Sequence, residues 1–95
     1  MRLSLKEREA ITQTYNEVFK DGKIYLFGSR VDESKKGGDI DLYIQAENQE
    51  NLMKKKIEFL VLLKRRIGEQ KIDVVLSKDT MRTIEQEALN KGIEL

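Results

Sequence analysis

Asp39-Ile40-Asp41-Leu42-Tyr43-Ile44 is the stretch on which the fold turns. Successive residues of an extended chain point to opposite faces, so Ile40, Leu42 and Ile44 share one face while Asp39, Asp41 and Tyr43 share the other. The segment is expected to be a half-buried strand with its carboxylates on the open side. Ile72-Asp73-Val74-Val75-Leu76 repeats the arrangement, with Ile72, Val74 and Leu76 on one face and Asp73 on the other. Upstream, the aromatic and β-branched run Ile24-Tyr25-Leu26-Phe27 ends in Gly28-Ser29 and predicts a further strand.

Helical spacing fills the intervals. Ser4 and Glu7 form a capping-box pair, and Ile11, Tyr15, Val18 and Phe19 follow along one helical face, which should stop near Lys20 with Gly22 as its left-handed terminator. Asn48 is expected to cap a helix running to about Arg66, basic in its last turn and ended by Gly68. Its core stripe is expected to be Met53, Ile57, Leu60 and Ile67. Leu52, Phe59, Val61, Leu62 and Leu63 widen that stripe nearly all round, which fits either full burial or a protein interface. A last helix should run from about Asp79 to Asn90, with Met81, Ile84 and Ala88 buried and Gly92 after it. This alternation predicts an α/β (α+β) architecture, with helices packed on a mixed sheet of at least three strands.

The composition narrows the chemistry. The 95 residues fit one domain over 1–95, and their formal net charge of +1 announces no nucleic-acid binder. Neither Cys nor His is present, which excludes disulfides, thiolate nucleophiles, thiolate or imidazole metal sites and an imidazole base. Lys54-Lys55-Lys56 and Lys64-Arg65-Arg66 are interleaved with apolar residues and followed by acids, so they are expected to be a solvated helix face, and direct nucleic-acid binding is not expected. The longest apolar stretch, Phe59 to Leu63, falls far short of the ~18 residues that span a bilayer. The first residues meet charge at once, unlike a signal peptide, so a cytoplasmic location is expected.

If the two acidic strands are neighbours, Asp39, Asp41 and Asp73 converge. Unpaired acids that close together raise one another's pKa values unless a cation sits among them, and oxygen-only ligation suits magnesium or manganese. An Asp-x-Asp pair alone is more often what a solvated strand face produces. The Gly28-Ser29-Arg30 turn tips the balance, because a glycine admits close backbone approach and successive N–H groups with a hydroxyl make an anion site.

Gly28-Ser29-Arg30, Gly38-Asp39-Ile40-Asp41-Leu42 and Ile72-Asp73-Val74-Val75 together resemble the Gly-Ser, Asp-x-Asp and third-Asp pattern of the DNA polymerase beta-like nucleotidyltransferases. The length is similar to that of their minimal branch, often paired with a helical HEPN-domain protein as a toxin–antitoxin module. The resemblance implies the nucleotidyltransferase fold, ATP as substrate and Mg2+ or Mn2+ as cofactor. Gly28, Ser29 and Arg30 would form the nucleotide-binding turn, Asp39 and Asp41 would bind metal, and Asp73 would complete the metal set and activate an acceptor hydroxyl. AMP would pass to a hydroxyl of a HEPN-domain partner, making this chain the antitoxin. Two departures stand out. Val31-Asp32-Glu33 follows Arg30 where the family often has Ala-Arg-Gly, with Lys35 and Lys36 nearby, and Gly38 precedes the first Asp where Ser is frequent. The anions standing where the family often has a cation keep open the alternative of an inactive module that neutralises its partner by occlusion, and homo- or hetero-oligomerisation is open too.

Overall fold

The computed structural model describes residues 1–78 and 81–95. Three helices pack on a mixed four-stranded sheet, an α+β fold: α1 Leu5–Val18, β1 Lys23–Phe27, a 3₁₀ turn over Gly28–Val31, β2 Ile40–Gln45, α2 Leu52–Ile67, β3 Ile72–Leu76, α3 Thr83–Lys91 and β4 Ile93–Glu94. The strand order is β3-β2-β1-β4, with β1 antiparallel to β2 and β4, and β2 parallel to β3. The parallel step is carried by α2, a crossover that antiparallel neighbours do not need.

Period-two patterning builds the main core. Ile24 and Leu26 of β1, Ile40, Leu42 and Ile44 of β2, and Ile72, Val74 and Leu76 of β3 all face α1 and α2, meeting Ile11, Tyr15, Phe19, Phe59 and Leu63. The Ser4–Glu7 capping box forms as expected, each side chain accepting from the other's backbone N–H. The end of α1 differs from expectation. The helix stops at Val18, and Lys20 takes a positive φ of 70° before Gly22 does so at 89°.

Asn51, not Asn48, precedes α2, and it does so in the left-handed region without a side-chain cap. Asn48 instead accepts from the Glu50 N–H in the turn before it. The buried residues of α2 are Phe59 and Leu63, with Leu52, Leu60, Leu62 and Ile67 packed at the margin. Met53 and Ile57, expected in the core, are 62% and 60% exposed, and Val61 is 45% exposed. A helix that is apolar nearly all round offers several stripes of similar width, and packing against α1 selected the one centred on Phe59.

The opposite sheet face carries a smaller core of Phe27, Tyr43 and Ala88 beneath α3. Tyr43 was expected on an open face but is fully buried, its hydroxyl donating to Glu85 of α3 at 2.7 Å. Glu85 also accepts from the Ser77 hydroxyl, the Lys78 N–H and the Arg82 guanidinium, so a buried carboxylate takes the place expected for apolar side chains. Met81 and Ile84 are exposed, because α3 begins at Thr83 and turns Glu85 and Ala88 to the sheet. The expected helix start at Asp79 lies outside the described residues. Among the described residues no helix is long and apolar enough to cross a membrane.

Candidate functional site

The register of β2 on β3 places Asp41 directly opposite Asp73, on the sheet face that α3 only partly covers. The same row continues into β1, where Phe27 pairs with Asp41. Gly28 therefore leaves β1 beside the Asp41 carboxylate, at φ +75°, and a Cβ there would collide with that carboxylate. Ser29 is held similarly close on its other side, since a Cβ on Gly38, at φ +90°, would collide with the Ser29 hydroxyl. Two glycines in backbone conformations that L side chains rarely adopt thus let the turn and the acidic strand touch. Asp39 lies just before β2, and its carboxylate pairs with the Lys71 ammonium at 3.3 Å.

The electrostatics match this crowding. Burial, then the neighbouring charges of Asp73, Asp39 and Glu87, hold the Asp41 carboxyl above its ordinary range, with Lys71 acting in the opposite sense. The Lys71 ammonium is pushed up by its bond to Asp39 and by the other two carboxylates. Among the described residues, no three acidic side chains stand close enough together to hold one ion as they are placed. The donor set is hard oxygen, in a field negative enough to favour a cation, which is the chemistry of magnesium or manganese.

The loop from residue 28 to residue 38 is fastened from the N-terminus. The Arg2 guanidinium donates to the carbonyls of Ser29 (2.8 Å), Asp32 (2.9 Å) and Gly37 (2.7 Å), and the Arg2 N–H donates to the Arg30 carbonyl. The Arg30 guanidinium is itself committed, donating to the carbonyls of Arg2 and Gly38. The acids of the departing Val31-Asp32-Glu33 segment are engaged locally. Asp32 accepts from the N–H and hydroxyl of Ser34, which lower its pKa, and Glu33 pairs with the amino group of Met1.

Gly28, Ser29, Asp41 and Asp73 are thus brought to one end of the sheet, Asp39 stands at its margin, and Arg30 turns to the loop backbone. Sequence reasoning missed Lys71, Glu87 and Arg2. Lys71 stands two residues before Asp73 and so falls on its face by strand alternation, which the pattern contained. Glu87 reaches the site through the docking of α3, and Arg2 through a fold-back across 27 to 35 residues. Neither leaves a local signal.

No curated protein matches the chain. A family model described as "Polymerase beta, Nucleotidyltransferase" matches residues 9–95, which take in the glycine turn, Asp39, Asp41, Asp73 and α3. The chain belongs to the polymerase beta nucleotidyltransferase family.

Proposed function

We propose that residues 1–95 act as a single nucleotidyltransferase domain that moves AMP from ATP to a hydroxyl of a HEPN-type toxin, and so serves as its antitoxin in the cytoplasm. The observation that carries this reading is the Asp41–Asp73 row with Gly28 against it. It sets two carboxylates beside a glycine backbone, which supports oxygen ligation of an ion next to a phosphate seat. Gly28 and Ser29 seat the β- and γ-phosphates, while Asp39, Asp41 and Asp73 would hold Mg2+ or Mn2+. The bound ions supply Lewis-acid neutralisation of the phosphate charge. The acceptor oxygen bonds to the α-phosphorus, the bond from that phosphorus to the bridging α,β-oxygen breaks, and pyrophosphate leaves with the electron pair. Asp73 takes the acceptor's proton. With no histidine in the chain, a carboxylate is the suitable base.

The test is incubation with a HEPN-domain partner, ATP and Mg2+, read by intact mass. The partner should gain one or more adenylyl groups, and the Asp39→Ala, Asp41→Ala double variant should add none. An unchanged partner mass with the unmutated chain overturns the reading.

A second reading, neutralisation by occlusion, is favoured by the exposed stripe of Met53, Ile57 and Val61 on α2. Burying an apolar side chain of this size is worth about 1.5–3 kcal/mol, most of which two of these residues forgo in the isolated chain. Under that reading the double Asp variant neutralises the toxin as well as the unmutated chain does. Under the enzymatic reading it does not.

A further inference from the structure

A cleft of about 320 Å³ opens beside the glycine turn, lined by Gly28, Ser29, Val31, Asp32, Lys35, Glu87 and Lys91. It joins two segments that lie far apart in the chain, the loop after β1 and the last turns of α3. Glu87 and Lys91 are one helical turn apart, so they share a face of α3. Glu87 lines the cleft together with Gly28, whose backbone lies against the Asp41 carboxylate, which places that face beside the acidic row. Lys91 is thus carried along the cleft wall one turn further from the carboxylates.

The charge balance of the turn then raises a question. A triphosphate needs point cations as well as backbone N–H dipoles, because its charge lies on oxygens that strong donors must meet. Arg30, the cation within the glycine turn, points its guanidinium at the carbonyls of Arg2 and Gly38, which take up its Nε and Nη1 donors. Lys71 is paired with Asp39. Lys35 and Lys91 both line the cleft, both are exposed, and neither side chain has a hydrogen bond or ion pair among the described residues. Of the two acids in the cleft, Asp32 accepts from Ser34 and lies within the field of Lys35, and the charge of Glu87 acts on Asp41.

We propose that Lys35 and Lys91 grip the polyphosphate of the nucleotide, one from the loop and one from the end of α3, in place of Arg30. This rests on the nucleotidyl-transfer reading. It gives α3 a role in substrate capture and makes the loop after the glycine turn a source of positive charge. The seat discriminates by phosphate number, since AMP lacks the β- and γ-phosphates that the two lysines hold.

Calorimetric titration of the full chain with ATP, inorganic tripolyphosphate and AMP, each with Mg2+, tests the proposal. Lys35→Gln and Lys91→Gln should each weaken binding of ATP and tripolyphosphate by about tenfold, the size of one charge-assisted hydrogen bond. AMP binding should be unchanged, Lys91→Arg should keep most of the affinity, and thermal midpoints should match the unmutated chain. If the unmutated chain binds ATP and both glutamine variants bind it equally well, the proposal is overturned while the nucleotidyl-transfer reading stands. If the unmutated chain binds neither ATP nor tripolyphosphate, the nucleotidyl-transfer reading itself fails and this proposal goes with it.

Discussion

The carboxylate of Asp41 lies against the backbone of Gly28, in space that any side chain at that position would have to enter. The glycine is held at φ +75°, so substitution meets backbone strain as well as collision. Gly28→Ala should destabilise the fold by about 1 kcal/mol or more and displace Asp41 from its row with Asp73. Thermal unfolding checks the first effect, and loss of nucleotidyl transfer by the fraction that remains folded checks the second.

Asp41 itself should be a residue that costs stability. Its carboxyl titrates above the ordinary range, so the native state keeps the proton to higher pH than the unfolded chain does. Between the unfolded and native values stability falls as pH rises, because the native state binds more protons there. At neutral pH Asp41→Asn should therefore raise the thermal midpoint while abolishing transfer. A gain of 1 kcal/mol appears as ~4–8 °C in a domain of this size. Mg2+ or Mn2+ should raise the midpoint of the unmutated chain and raise that of the variant less. A variant melting below the unmutated chain at neutral pH would contradict this.

Glu85 should behave in the opposite way. It is fully buried and accepts from Tyr43, Ser77, the Lys78 N–H and Arg82, so Glu85→Ala strands several donors at once. The Tyr43 hydroxyl, the buried donor of the four, costs about 1–3 kcal/mol when left unpaired. Denaturant unfolding should show a large loss for Glu85→Ala and a smaller one for Glu85→Gln, which keeps an acceptor oxygen.

Ile57 lies in the middle of the exposed stripe of α2. Ile57→Asp should leave the unfolding free energy within about 0.5 kcal/mol of the unmutated value, as exposed positions generally do, and leave ATP binding intact. Co-purification with the HEPN-domain partner should be lost. Retained association would place the interface elsewhere.

The parts of the fold legible in the sequence are those governed by short periods. Alternation in Asp39–Ile44 and Ile72–Leu76 gave the inner face of both strands, and the Ser4–Glu7 pair gave the start of α1. What escaped was decided between distant segments. Tyr43 reads as solvent-facing until α3 brings Glu85 to it from 42 residues away. In α2, apolar residues on every side left the choice of stripe to α1, so Met53 and Ile57 were placed inward and Phe59 only at the margin. β4, two residues long, carries too little pattern to be seen. At the site, the acids and the glycine turn were visible as motifs, whereas the commitment of Arg30 to carbonyl groups depends on the N-terminal segment folding back.

That fold-back has a practical side. Arg2 rivets three carbonyls of the loop from residue 28 to residue 38, so a deep mutational scan scored on transfer should rank position 2 among the most sensitive in the chain. An affinity handle joined directly ahead of it would crowd the same rivet. Preparations meant for nucleotide work are better purified through the other end, or with the leader cut away.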